Sequence, residues 1–182
     1  MNAIIVSGGS KNGSSLYISK KIKEKLFQSE IIDLSQSSIM YCDGCLSCDE
    51  THVCHYSDDM SIIIPKLECA DVIIFVSPAR WNLISGDMKV FMDRLNPTAV
   101  IQSLSKKKVA AFAVGQTSEV ESDSLNNVIS SIEFFCKSAD LEVVFSSTIG
   151  NCLTVNDTIS IDTIVESEID KMISKLEELV DD

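Results

Sequence analysis

The stretch "DVIIFVSP" (Asp71–Pro78) is apolar without interruption from Val72 to Val76. A strand with one wet face alternates apolar and polar residues, so an unbroken run of this length fits a strand covered on both faces, as in a parallel sheet between helical layers. Upstream, "MSIIIPKLECA" (60–70) has helical character, with Asp58 or Asp59 as its cap and Pro65 expected to end or kink it early. Downstream, Ser85 opens a helix in which Met88, Phe91, Met92 and Leu95 share a face.

The same alternation extends to both ends of the chain. "NAIIVSG" (2–8), "SEIIDL" (29–34), "KKVAAFAVG" (107–115) and "LEVVFSSTIG" (141–150) read as further strands. Leu16, Ile18, Ile22, Leu26 and Phe27 recur at helical spacing after the first, and Leu125, Val128, Ile129, Ile132 and Phe135 after the fourth. Residues 162–180 read as a final amphipathic helix. Five strands and about five helices predict an α/β fold: a flavodoxin-like, doubly wound, five-stranded parallel sheet of order 2-1-3-4-5. The expected organisation is a single domain over 1–182 with a cysteine-rich insert at 41–57. Ligands of such sheets bind outside the carboxyl ends of the strands, so function is expected in the loops after strands one, three and four.

Composition narrows the classes. With 182 residues, 45% hydrophobic and 23% charged, the chain should fold without staples. A net charge of -12 argues against a nucleic-acid partner, and the basic runs "KKIKEK" and "SKKKV" read as a solvated helix face and a solvated loop. "MNAIIVSGG" is too short an apolar run for a signal peptide, and no stretch approaches a membrane span, so a cytoplasmic location is expected. In a reducing compartment, clustered thiols point to metal or redox chemistry rather than disulfides.

Two loops carry polar chemistry. In "SGGSKNGSSLYISKK" (7–21), glycines and hydroxyls stand between a strand and a helix start, which suits a phosphate cradle or a plain strand-to-helix turn; the spacing is neither a Walker loop nor G-x-G-x-x-G. In "YCDGCLSCDETHVCHYSDD" (41–59), Cys42-x2-Cys45-x2-Cys48-x5-Cys54 matches compact iron–sulfur ligand runs better than the separated knuckles of zinc ribbons. A four-iron, four-sulfur cluster, zinc, or free thiols remain open. His52 and His55 are expected as solvated loop residues, Cys69 and Cys136 as small core residues, and Cys152 has no assignment.

"SPARWNLISGDMKVFMDRL" (77–95) carries Ser77, Pro78, Trp81, Ser85, Gly86, Lys89, Phe91, Asp93 and Arg94 at the positions of an "SPvYw-x-x-x-SG-x-x-K-x-F-x-DR" signature. This resembles the NADPH-dependent FMN reductase family. The first loop resembles that family's "NGSPRKNGNT" at Lys11, Asn12, Gly13 and Ser15, and the cysteine segment resembles the "C-x-G-C-x-x-C" of its iron–sulfur flavoproteins. The resemblance implies FMN, with Ser10, Asn12, Ser14 and Ser15 at its phosphate and Pro78, Ala79, Arg80, Trp81 and Asn82 along the isoalloxazine. Gly115 and Gln116, with Thr117 and Ser118, are the candidates after strand four, where many members have a glycine-rich turn. Lys89 and Arg94 are expected to brace their helix with Asp87 or Asp93. Gly8, Ser10 and Arg80 depart from the family's serine, arginine and tyrosine.

The function this implies is FMN-dependent oxidoreduction, from NAD(P)H or a ferredoxin-type protein donor to a small acceptor such as flavin, quinone or a metal ion. No protein nucleophile is expected, because the flavin carries the hydride. The alternatives are an iron–sulfur electron carrier or redox sensor without nicotinamide activity, and a metal-binding interaction module. The resemblance also implies a homodimer or dimer of dimers, and the candidate metal ligands Cys42, Cys45, Cys48 and Cys54, which follow strand two beside strand one in the expected order, are expected on the same rim as the phosphate loop.

Overall fold

Five short strands line up around a centre too apolar to leave either face wet. In the computed structural model, which describes residues 1–116, 123–152 and 159–179, they are β1 (Ala3–Ser7), β2 (Ser29–Asp33), β3 (Val72–Pro78), β4 (Lys108–Val114) and β5 (Glu142–Ile149). They form one parallel sheet of order β2-β1-β3-β4-β5, the expected flavodoxin-like topology. β1 is buried throughout, and β3 and β4 are buried except at one terminal residue each. The edge strand β5 is mostly half-buried and carries a register shift opposite Val109 and Ala110.

Helices cover both faces. α1 (Ser14–Lys25) and α7 (Ile159–Glu178) lie on one side, where Ile18, Ile22, Val165, Ile169 and Met172 pack on Ile5, Ile74 and Phe112. α3 (Met60–Cys69), α4 (Gly86–Asp93) and α6 (Ser124–Ser138) lie on the other, where Met60, Leu67, Met88, Phe91 and Ile132 meet Val6, Phe75 and Ala111. Among the described residues, the remaining helical structure is a 3₁₀ turn over Leu34–Gln36 and two five-residue helices, α2 (Ser47–Thr51) and α5 (Asn96–Val100), which local periodicity does not announce.

Pro65 does not end its helix: α3 runs through it to Cys69. An interior proline typically costs about 3 kcal/mol, and burial of Met60, Ile63 and Leu67 on the same helix is of the size needed to offset that. Cys136 is buried as expected and its thiol is pushed up to about 12 by burial; Cys69, expected in the core, is exposed. Cys152 packs in the α1–α7 layer, where burial lifts it to about 11. The last helix spans 159–178, and the expected end at residue 180 lies outside the described residues.

Candidate functional site

Three loops meet at the carboxyl ends of β1, β3 and β4. The Gly8 N–H donates to Val76 O at 2.9 Å, so the chain is still tied to β3 as it leaves the sheet. The hydroxyls of Ser7 and Ser15 are buried with no hydrogen-bond partner. Leaving such a group unsatisfied costs about 1–3 kcal/mol, a cost that the oxygens of an anion would relieve. α1 begins after Gly13, which has no side chain to cap it, and its first turn holds no acidic residue. Its leading N–H groups are therefore unspent, and the helix dipole favours negative charge there. A Cβ on Gly9 would stand 2.8 Å from that of Ser15, so the loop closes this tightly only over glycine. Ser10 and Asn12 are exposed at its tip and Ser14 is half-buried, with Gly13 N–H donating to Ser10 O at 2.8 Å. Free helix-start donors and orphaned hydroxyls suit a phosphate group.

The loop after β3 is anchored by the motif serines. Ser77 Oγ accepts from Ser85 N at 3.3 Å, and Ser85 Oγ caps α4 by accepting from Met88 N at 3.2 Å. Between them, Arg80 N–H donates to Leu83 O at 2.8 Å and Leu83 N–H to Arg80 O at 3.1 Å, with Trp81 at φ 50° and Asn82 at φ 64°. Two positive φ values in a two-residue hairpin define a type I′ turn, normally made from Asn and Gly. A bulky residue with positive φ is a strained outlier. Trp81 is 99% exposed and takes no part in the core. Pro78 and Ala79 are half-buried beneath the turn, and Arg80 and Asn82 are exposed on it.

The third loop follows β4. Gly115 N–H donates to Ile149 O and its carbonyl accepts from Cys152 N–H at 2.9 Å. A Cβ on Gly115 would meet Leu125 Cδ2 at 2.7 Å and Ala79 Cβ at 3.9 Å, so this loop adjoins the one after β3. Gln116 is exposed beside it, while Thr117 and Ser118 lie outside the described residues. The β1 loop also touches α4, since a Cβ on Gly8 would come within 3.0 Å of Met88 Cε and Ser85 Oγ. The structure thus gathers the sequence-predicted rim residues along one edge.

The cysteines are elsewhere. From the 3₁₀ turn the chain leaves the rim and runs to the far end of α4, where Asn96 Nδ2 donates to Cys48 Sγ at 3.1 Å. The segment meets the carboxyl end of α4 and the rim loops meet its amino end, eight residues or about 12 Å of helix away, which corrects the expectation that both lie on one rim. Cys42, Cys45, Cys48 and Cys54 do line one cavity of about 340 Å³, together with Asp43, Tyr56, Asp93 and Asn96. Arg94 anchors the whole segment. It is only 2% exposed, pairs with Asp58 Oδ2 at 2.6 Å, donates to Met40 O at 2.6 Å, and lies 5.1 Å from the centre of the Tyr56 ring. Burial alone would raise Asp58, but the Arg94 guanidinium and the N–H groups of Met40 and Met60 outweigh it and hold the carboxyl below its usual range. Arg94 therefore does not brace its own helix, as expected from sequence; Lys89 does, pairing with Asp93.

Sequence reasoning also missed Asp43 and His55. Cys45 Sγ lies 3.2 Å from His55 Nδ1, and His55 Nε2 lies 3.5 Å from Asp43 Oδ2. The Cys45 N–H, first among its partners, holds the Asp43 carboxyl below its ordinary value, and Tyr56 Oη donates to the same group at 3.2 Å. His55 is exposed as expected, but it is engaged. An aspartate two residues before a cysteine and a histidine ten after it is the signal that was there to find.

Residues 1–139 match the NADPH-dependent FMN reductase family, and the chain belongs to it. An iron-sulfur flavoprotein of Methanocaldococcus jannaschii is 35% identical over 94 residues, covering 52% of this chain and 49% of that one. One from Archaeoglobus fulgidus is 30% identical over 105 residues, covering 56% and 48%. The chain thus spans about half the length of these relatives. Among solved structures, an NAD(P)H:quinone oxidoreductase from Methanothermobacter marburgensis superposes with a TM-score of 0.69 at 14% identity over 96% of both chains, a likeness of fold.

Proposed function

We propose that this member of the NADPH-dependent FMN reductase family binds FMN along the rim of β1, β3 and β4 and passes electrons from NAD(P)H or a reduced protein donor to a small acceptor such as flavin, quinone or a metal ion. The observation that carries this reading is the pair of orphaned buried hydroxyls, Ser7 and Ser15, beside an uncapped helix start. Ser10, Asn12, Ser14 and Ser15 would receive the phosphate; Pro78, Ala79, Arg80, Trp81 and Asn82 would line the isoalloxazine edge, with Gly115 and Gln116 closing the site. When bound, FMN supplies hydride and single-electron chemistry, while the chain orients it and limits water. The test is titration of the purified protein with FMN and riboflavin under flavin fluorescence, followed by NADH or NADPH. Expected are stoichiometric uptake, preference for the phosphorylated form, and bleaching by a nicotinamide that an acceptor reverses. No quenching at micromolar FMN would sink the reading.

The cavity shared by Cys42, Cys45, Cys48 and Cys54 favours a second component. Four thiolates around one space suit a four-iron, four-sulfur cluster, which supplies single-electron transfer. Iron and acid-labile sulfide in equal amounts after anaerobic reconstitution would support it. Reduction by ferredoxin but by neither nicotinamide would make the protein an electron carrier or redox sensor rather than a reductase.

A further inference from the structure

Two histidines and several carboxylates sit among the cysteines, but only one set of side chains there brings three candidate ligands close together. Among the described residues, Asp43, Cys45 and His55 alone bring three metal-binding donor atoms within 4.8 Å of one another. Zinc bonds of about 2.3 Å to sulfur and 2.0 Å to nitrogen at a tetrahedral angle put the two donors about 3.5 Å apart. Cys45 Sγ and His55 Nδ1 stand 3.2 Å apart, so a single ion could bridge them with a shift of tenths of an ångström; Asp43 Oδ2 faces the other ring nitrogen, Nε2, at 3.5 Å, so its carboxylate turns to the Nδ1 side to complete the site.

The surroundings hold this arrangement in place. Asp43 accepts from the Cys45 N–H at 3.1 Å and from Tyr56 Oη at 3.2 Å, which orients its carboxylate toward its own loop. The His55 ring packs against Tyr56, tilted by 39° with centroids 4.1 Å apart, and Tyr56 in turn rests on the buried Arg94. Such outer partners set ligand orientation in metal sites. Chemically, one thiolate, one carboxylate and one neutral imidazole balance a divalent charge, and this mixture suits zinc-class ions. All three residues are exposed, so an ion can enter from solvent.

We infer that Asp43, Cys45 and His55 form a site for one zinc-class divalent ion, with solvent as the fourth ligand. Cys45 also belongs to the four-cysteine cage, so ion and iron–sulfur cluster exclude each other. The ion site stands whether or not the cluster reading does; only this competition rests on it.

The experiment uses the full chain with FMN bound, thiols reduced, stripped of metal under anaerobic conditions and titrated with Co²⁺. One equivalent should give tetrahedral absorption bands that Zn²⁺ abolishes. His55→Ala and Asp43→Ala should each weaken Co²⁺ binding by more than about 100-fold, and Tyr56→Phe by about 10-fold, the lower end for outer partners. Cys48→Ser should leave it unchanged, and FMN binding by each variant confirms the fold. No Co²⁺ uptake, or uptake lost with Cys48→Ser but kept with His55→Ala, would overturn the site. Zn²⁺ loaded first should block iron and sulfide incorporation; both metals bound together would overturn the sharing of Cys45. Co²⁺ bound through His55 in a protein that never takes up iron and sulfide would leave the ion site standing and remove the cluster.

Discussion

The rim loops and the cysteine segment occupy opposite ends of α4 and are built in opposite ways. On the rim, Ser7, Ser15, Ser77 and Ser85 are all buried, and each loop leaves a strand that is covered on both faces. In the segment, residues 41–46 are all exposed, and the only helix, α2, is five residues long between left-handed Leu46 and His52. The rim rests on buried serines at the ends of covered strands, whereas the segment is an exposed loop held by one buried ion pair and by surface contacts among Asp43, Cys45, His55 and Tyr56. Ligand binding at the two ends should therefore be separable.

The sharpest way to break this contrast is to remove the anchor. Arg94→Met leaves Asp58 buried without its partner and should cost about 3–5 kcal/mol, the usual size for breaking a buried pair. Chemical denaturation would measure it. Adding Asp58→Asn to Arg94→Met should cost less than Asp58→Asn alone, since the stranded charge is then removed. Limited proteolysis of Arg94→Met should cut first between 41 and 57, and a cut in the β1 loop instead would refute the division. The same pair sets acid stability. Because the folded carboxyl lies below its ordinary value, its contribution is complete above about pH 3.9 and is lost as pH falls through the folded value. Urea midpoints of the wild type should drop more steeply than those of Asp58→Asn on the acid side of pH 4, and parallel curves would count against the assignment.

The next effect is smaller and belongs to the rim. The Ser15 hydroxyl is buried and unpartnered in the free loop, so Ser15→Ala should leave the FMN-free protein as stable or slightly more so. Its affinity for FMN should nevertheless fall by about 1.5–3 kcal/mol, the worth of a hydrogen bond to a charged group. Calorimetry would show both. Equal losses in stability and affinity would mean that the hydroxyl serves the fold alone. Alkylation sharpens the comparison from the thiol side: Cys136 and Cys152 are buried with raised pKa values, and only the other five thiols should react in the native protein.

What sequence made legible follows the same division. Sheet order could be read because continuous apolar runs act locally, through strands, whereas the rim residues came mainly from the family resemblance of their motifs. The role of Arg94 could not, because its partner Asp58 lies 36 residues away and the pairing depends on how α3 and α4 pack. Nor could the Asp43, Cys45 and His55 contacts, since the path of an exposed loop decides whether residues ten apart meet. The cysteine spacing suggested a shared cavity, but not that it would sit a helix length from the rim. Pro65 misled because propensity weighs a residue alone, while the burial of three apolar neighbours decides the helix.

Trp81 tests the smallest effect, and it does so where the rim is least like a folding element. Its left-handed backbone carries a steric penalty of about 1–2 kcal/mol for a residue with a Cβ, and its side chain, 99% exposed, returns no packing to offset it. A type I′ turn would accept glycine in that position without strain. Trp81→Gly should therefore raise the stability of the FMN-free protein by about 1 kcal/mol or less, since glycine also gives up unfolded-state entropy. If Trp81 meets the flavin, the same change should weaken FMN binding and lower the rate of nicotinamide oxidation. A strained residue kept at the cost of stability is then serving the ligand. A stability gain with affinity and rate both unaltered would remove Trp81 from the site and leave Pro78, Ala79 and the hairpin backbone as its wall.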